Sequence, residues 1–470
     1  MDNATLTRSP ISPADVAALG ASFRGRLVGP EHPDYAVTRR VWNAQVDRFP
    51  ALIAQCSGVA DIAEAIRFAR EREIPVSVRG GGHSIAGNAI RDRGLVIDLS
   101  LMKGVRVDPG ARRAFVQGGA LWGDVDRETQ VYGLATPGGV VSHTGVGGLT
   151  LGGGIGWLMR KYGVTVDNLR SVNLVTADGT VLLASERENA DLFWGLRGGG
   201  GNFGVAAWFE YQLHQVGPTV TAGSVFFDMD DAVSVLRQYR DWIRDVPDEV
   251  TTIVSLRLAP PMGYLPENTH GRPVVYISVC HCGTLEAAER DLAPLRSFAE
   301  PIADHIRPKP FTEHQTLVDA WSPPGWHYYW SSCELPPFTD EMIDILVERG
   351  RLMTAPKAKV NIYQLGGAIS RIADDATAFY SDRGTSHNAS FSAVWSDEDG
   401  DPEPIKQWAR ESKEALGEFH LARTYVNFQE EASGPLIRRV YGSAKHDRLV
   451  ELKRRYDPTN FFNLNPNIVP

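Results

Sequence analysis

Three runs of glycine, one of them ending on a histidine, carry the chemistry that can be read from this chain. Arg79-Gly80-Gly81-Gly82-His83-Ser84 leaves a short apolar stretch, Ile74–Val78, and ends on a histidine. A second run, 145–156, reads GVGGLTLGGGIG, and a third, 197–204, reads RGGGGNFG. Glycine has no side chain to pack and loses the most conformational freedom on folding. Clusters of it mark backbone that must take positive φ or lie close against a ligand. The N–H groups exposed in such loops form nests for phosphate oxygens. Three runs within the first 204 residues suit a long ligand with a central pyrophosphate, which is a dinucleotide. Tight turns would explain any single run. Three of them, one ending in His-Ser at the exit of a strand, favour a cofactor site.

Other sites are excluded by context. Gly199-x-Gly201-x-x-Gly204 has the spacing of a Rossmann fingerprint, which needs a strand before it and a helix after it. Here a helix-like segment, Asp191–Leu196, precedes it and a strand-like run from Val205 follows. No G-x-x-x-x-G-K-[ST] occurs, so a P-loop is absent. Among the four cysteines only Cys280 and Cys282 are close, within VVYISVCHC. A structural zinc site normally needs two such pairs, so strand core is expected and no metal. A net charge of −9 offers no basic face to nucleic acid or to an anionic membrane. No run reaches the ~18 apolar residues of a membrane span. The first residues, MDNATLTRSPISPADVAALG, lack a basic segment followed by an apolar one. The cysteines imply no disulfide framework, which suits a reducing compartment. A cytoplasmic protein with neither nucleic-acid nor membrane partners is expected.

The elements that must position these residues alternate in type. Residues 13–27 read as a helix. Ala51–Cys56, Ile74–Val78, Leu95–Leu99 and Ala114–Gln117 read as short strands. Between the first two, Val59, Ile62, Ala63 and Ile66 recur at helical spacing, giving an amphipathic helix over 57–72. In SVNLVTADGTVLLAS (171–185), Asp178-Gly179 between two apolar runs signals a hairpin. Val205–Leu213 is a further strand. After Gln215 the glycine motifs nearly vanish. Strands at 250–258, 273–279, 359–365 and 389–395 alternate with helices at 230–246 and 338–353. A helix at 445–455 precedes the closing YDPTN and NLNPN segments.

Taken in order, these segments resemble the berberine-bridge-enzyme-like branch of the vanillyl-alcohol-oxidase superfamily. RGGGHSIAGNAI resembles that family's pyrophosphate loop, whose histidine carries an 8α-linked flavin. GGVVSHTGVGGLTLGGGIGWLMRKYGVTVDNL resembles its second flavin segment, DLFWGLRGGGGNFGV the third, and YDPTNFFNLNPNI the terminal motif. The resemblance implies an α+β fold with a discontinuous FAD-binding domain of the PCMH type, built from two α+β subdomains. That domain would span 1–215 and 416–470. Residues 216–415 would form an inserted substrate domain, an antiparallel sheet backed by helices. It implies covalent FAD on His83. The expected cofactor contacts are Arg79, Gly80, Gly81, Gly82, Ser84, Gly87, Gly145, Gly148, Gly152, Gly153, Gly154, Val205, Asn463 and Asn465. The chemistry is consistent, since an imidazole must be neutral to attack the flavin methyl group and histidine titrates near neutrality.

Departures from the family pattern refine the expectation. Where many members bear a second linking cysteine, this chain has Val141, so a single linkage is implied. Thr144 stands at the family's oxygen gate and is nearly isosteric with the valine that admits oxygen. Oxidase activity, with molecular oxygen as partner and hydrogen peroxide as product, is favoured over a dehydrogenase using a quinone or protein acceptor. A flavin carrier without catalysis is the reading from another class. Tyr425-Val426-Asn427 resembles the family's Y-x-N element, in which the tyrosine is a base. A phenol near pKa 10 must be tuned or coupled for that role. Counting back from Gly366-Gly367 puts Tyr363 where sugar-oxidising relatives have an acid. Tyr425, Tyr363 and Asn427 are therefore the catalytic candidates, with core packing the alternative for Tyr363. The pair suggests a less polar site, for a small aromatic or secondary-metabolite-like alcohol or amine. Trp321, Trp326 and His327–Trp330 add aromatics that could line the pocket or fill the core, with Tyr329 facing away from Tyr328 and Trp330.

Overall fold

The computed structural model describes residues 11–379, 383–421, 424–429 and 434–470. The leader expectation falls partly on residues 1–10, outside the described residues. Three sheets organise the chain. The first has four strands in the order Arg26–Val28, Leu52–Gln55, Leu95–Asp98, Val76–Arg79. The last three run parallel. Parallel strands need a crossover, and the helix Val59–Glu71 provides it by burying Ile62, Ala65, Ile66 and Ala69. The strand Val76–Arg79 then releases the chain directly into the first glycine run.

The second sheet is antiparallel, in the order Val105–Asp108, Arg113–Gln117, Val205–Gln212, Leu169–Val175, Val181–Ser185. The hairpin at Asp178-Gly179 is present, and Gly179 has a φ of 82°. The third glycine run lies between the helix Ala190–Leu196 and the strand from Val205, the reverse of a Rossmann turn.

The third sheet is wholly antiparallel. Its long strands are ordered Thr219–Asp228, Pro273–His281, Val250–Leu258, Lys359–Gln364, His387–Trp395, His327–Leu335. Side chains alternate across a strand, and the sequence exploits this. Val254, Leu256, Val360, Ile362, Ala389 and Phe391 face one way. They pack with Leu236 and Tyr239 of the helix Ala232–Trp242, Ile343 and Leu346 of Asp340–Arg351, and Trp408 of Glu403–Ala415. The intervening residues face the other way. This is the α+β architecture expected, with an antiparallel sheet backed by helices.

Some boundaries differ from expectation. The first helix is Pro13–Gly20, and Arg26–Val28 is a strand. Gly25 brings the chain to the sheet edge, where a Cβ would lie 1.9 Å from the Gln55 carbonyl oxygen. The expected helix over 230–246 is Ala232–Trp242, preceded by a 3-10 turn at Met229–Asp231. The last helix is longer than expected, Gly434–Tyr456, and kinks at Gly442. Beyond it the chain returns to the third glycine run. Asn465 Nδ2 donates to Gly201 O at 3.1 Å, and the buried Lys453 ammonium donates to Asn202 O at 2.9 Å. Cys280 and Cys282 are buried, and no metal-binding cluster occurs among the described residues. No helix among the described residues is long and apolar enough to cross a membrane.

Candidate active site

A cavity of about 510 Å³ runs between the glycine segments and the third sheet. One wall is backbone. Gly80, Gly81, Gly82, Gly145, Gly147, Gly148, Gly152, Gly200 and Gly201 all line it. The runs touch each other: a Cβ on Gly81 would fall 2.4 Å from Gly145 Cα. At Gly148 and Gly201 a Cβ would meet nothing within 4 Å, so there the glycines leave open space. Asn465, Leu464 and Pro466 of the returning C-terminus complete this wall.

His83 and Ser84 also face the cavity. The His83 ring stacks on Trp42 at 4.0 Å between centroids and 14° between planes. Its Nε2 is buried without a hydrogen-bond partner. Burial, reinforced by His143 nearby, pulls its pKa down to about 3, so the imidazole is neutral at physiological pH. An unpartnered, neutral imidazole nitrogen on a cavity wall is costly unless something else completes the site.

The opposite wall is made of side chains from the third sheet. The register arranges them in rows. Ser278, Ile253 and Tyr363 form one row. Tyr276, Ser255, Asn361 and Ser390 form the next. Arg257, Lys359, Ser392 and Trp330 form the third. All eleven line the cavity. Tyr363 is therefore on the cavity face, although 7% exposed. The strand alternation around Trp330 is also resolved. Trp330 joins Trp42 and Tyr328 on the cavity side, while Tyr329 packs with the backing helices. Aromatic rings stand at both ends of this wall, Phe428 lying 5.4 Å from Tyr363 and 5.1 Å from Trp330, with serines, Asn361 and two cations set among them.

Tyr425 and Asn427 lie on a 3-10 turn where both walls meet. The Tyr425 hydroxyl oxygen accepts from Gly154 N at 2.9 Å and from Asn427 Nδ2 at 3.0 Å. Gly152 makes room for Asn427, whose Oδ1 would lie 2.2 Å from a Cβ there. Burial raises the phenol to a pKa of about 12, and the N–H donors from Asn427, Gly154 and Ile155 oppose it. Burial also raises Tyr363. Both phenols are protonated at neutral pH. Thr144 and Val141 line the cavity as well.

Six expected contacts do not line the cavity, and each has other work. Arg79 reaches Thr38 O and pairs with Asp98 at 3.4 Å, holding the loop from behind. Gly87 makes room for Val46, and Gly153 for Phe379. Gly154 supplies the N–H that reaches Tyr425. Val205 is fully buried between two lining residues, Gly204 and Ala206. Asn463 accepts from Arg91 at 2.8 Å. Sequence reasoning missed Trp42, Arg257, Lys359 and Phe428. Lys359 had a partial signal: Lys359-x-Asn361-x-Tyr363 alternates with buried Val360 and Ile362, which puts the lysine on the same strand face as Tyr363.

A cleft of glycine backbone facing a side-chain pocket is the arrangement of a cofactor-dependent oxidoreductase. Residues 50–185 match a family model described as FAD binding domain, and residues 424–469 match one described as berberine and berberine like. An FAD-linked oxidoreductase of Dictyostelium discoideum is 31% identical over 94% of this chain and 93% of its own. (R)-6-hydroxynicotine oxidase of Paenarthrobacter nicotinovorans is 29% identical over 96% of this chain and 97% of its own. The crystal structure of 6-hydroxy-D-nicotine oxidase from Arthrobacter nicotinovorans superimposes with a TM-score of 0.86 at 29% identity. It covers 96% of this chain and 98% of that one. The chain belongs to the berberine-bridge-enzyme-like family of FAD-linked oxidoreductases. The glycine cradle and the orphaned His83 Nε2 fit FAD.

Proposed function

We propose that the protein is an oxidase that carries FAD on His83 through a single linkage and oxidises a small alcohol or amine. The observation that carries this reading is His83 itself: a neutral imidazole on the cavity wall, with Nε2 buried and unpartnered. Gly80, Gly81, Gly82, Ser84, Gly145, Gly148, Gly152 and Asn465 would hold the cofactor. Arg79, Gly87, Gly153, Gly154, Val205 and Asn463 would support that cradle from outside the cavity. In this reading 1–215 and 416–470 form the FAD-binding domain and 216–415 the substrate domain. Bound FAD supplies the hydride acceptor, and its reoxidation by molecular oxygen gives hydrogen peroxide. Val141 offers no thiol for a second link. Thr144 on the cavity wall supports oxygen access.

The chain's own contribution is positioning and proton handling. Phe428, Tyr363 and Trp330 offer an aromatic surface to the substrate. Tyr425 is protonated at rest, so it cannot remove a substrate proton in advance. An alcohol's O–H proton is taken only as hydride departs, by the minor phenolate form of Tyr425, whose own proton has gone to solvent and whose oxygen Asn427 and Gly154 hold in place. An amine suits this arrangement best because its lone pair needs no prior deprotonation. The relative named for 6-hydroxynicotine supports a small aromatic substrate.

Acid precipitation of the purified protein tests the reading. Yellow flavin fluorescence should stay with the wild-type pellet and leave with the supernatant in His83→Ala. Release of flavin from wild type would remove the covalent link. Absence of flavin from every fraction of folded protein would defeat the proposal.

A further inference from the structure

Arg257 and Lys359 are opposite each other on neighbouring strands and line the cavity together. They are 2% and 9% exposed. No aspartate or glutamate lines the cavity among the described residues, and neither cation has a carboxylate partner there. Like charges directly opposite on a sheet are destabilising, and an unpaired buried charge costs more. Local structure accounts for Arg257 only in part. Its Nε donates to Leu258 O at 3.2 Å, and its guanidinium lies over the Trp321 ring at 4.6 Å. Lys359 has one long bond, to Trp321 O at 3.4 Å. Both keep N–H donors to spare. Nothing in the packing requires the second cation.

We infer that Arg257 and Lys359 form a carboxylate-binding subsite, so that the substrate bears an acid group at the end remote from its reacting carbon. Arginine's planar fork matches a carboxylate, and lysine adds a third, rotatable donor. The subsite's distance from the reacting end is set by the strand. Lys359 and Tyr363 are four residues apart, about 13 Å along the sheet. Tyr363 and Phe428 mark the end at which Tyr425 lies. The substrate class is therefore a short acid with an aromatic or amine-bearing tail. The inference rests on the oxidase reading only in assigning Tyr425 to the reacting end. Without ligand, burial and then the Arg257 charge pull Lys359 down to about 7. A bound carboxylate would restore its charge.

The test is a calorimetric titration of the holoenzyme with 4-phenylbutanoate and with its neutral analogue 4-phenylbutanamide. Wild type should bind the acid at least about tenfold more tightly than the amide. Lys359→Met and Arg257→Gln should each lose most of that preference while keeping affinity for the amide, and Lys359→Arg should retain it. Unliganded Lys359→Met should melt no lower than wild type, because it removes a buried like-charge contact. Equal binding of acid and amide by wild type overturns the subsite. So does a preference that survives both neutralising variants. Titration needs no turnover, and flavin retention in acid pellets of the same preparations reports separately on the oxidase reading. Flavin missing from pellet and supernatant alike, with an intact acid preference, would sink that reading and leave the subsite standing.

Discussion

The two walls of the cavity are built from different materials. The wall from the glycine runs presents long stretches of backbone, peptide N–H and Cα, set among His83 and apolar side chains such as Leu149, Ile155 and Trp157. The wall from the third sheet presents side chains, set out in rows by the strand register. The difference follows from what each must recognise. A dinucleotide is long and phosphate-bearing, and peptide N–H groups bind it wherever the chain can approach closely enough. A substrate differs from its competitors in a few groups, and only side chains on a rigid frame can read those. The first wall is therefore intolerant of any added atom where loops touch. The second tolerates exchange of side chains and changes what it selects.

The largest effect should come from adding atoms to the first wall where it is tightest. Gly81→Val would push its Cβ to within 2.4 Å of Gly145 Cα, and neither is the end of a flexible side chain. The expected product is protein without flavin and with a loss of several kcal/mol of stability, read by absorbance near 450 nm and by thermal unfolding. Gly148→Ala separates touching from merely lining. Its Cβ meets no protein atom within 4 Å, so the fold should melt as in wild type. Flavin incorporation should still fall, because the methyl group enters the cavity. Wild-type flavin content in Gly148→Ala would show that the ligand does not approach this stretch of the wall.

The contrast also explains what was legible in the sequence. The backbone wall announces itself, because glycine is the one residue that can fill the role and three runs of it cannot be hidden. The helix at 59–71 and the Asp178-Gly179 hairpin were equally plain, since their periodicity is local. The side-chain wall has no such signature. Lys359, Arg257 and Tyr276 come from three strands, and only their pairing brings them together. The alternation in KVNIYQ showed two faces but not which faced a cavity. Tyr363 was placed by its distance from a glycine pair, not by its own environment. The overlong first helix has a similar cause. Phe23 and Leu27 continue an apolar spacing that Gly20 and the edge of the first sheet cut short.

At the junction of the walls the expected effect is kinetic. Tyr425→Phe removes the hydroxyl that Gly154 and Asn427 hold, and should slow flavin reduction about 100-fold in stopped-flow traces. Flavin content should not change, because the tyrosine hydroxyl is not part of the cradle. Tyr363→Phe deletes a hydroxyl from the sheet wall alone, and should cost less than tenfold. Equal losses from the two substitutions would mean that the proton is handled by the sheet. An unchanged rate in Tyr425→Phe would remove it from proton transfer and leave it as a strut beneath Asn427.

The smallest effect lies in the seam that joins the walls. Asp126, 2% exposed on the helix Trp122–Gln130, accepts a 2.7 Å bond from Gln315, whose amide also reaches Gly139 O at 3.3 Å on the cavity wall. One neutral donor does not offset burial, so desolvation lifts the carboxyl from 3.8 to about 7 while the Gln315 bond opposes it. A folded-state pKa above the unfolded one means that the native protein holds a proton the unfolded chain has released. The associated stability is complete below about pH 3.8 and is lost as pH rises through about 7. Between pH 6 and pH 8 the loss is roughly 1.4 kcal/mol for this one group. Asp126→Asn keeps the shape, removes the ionisation and should flatten that part of the profile. Its unfolding free energy, taken from denaturant melts relative to wild type, should therefore improve from pH 6 to pH 8. A constant difference across that interval would mean that the seam is already charged at pH 6 and is held by more than Gln315.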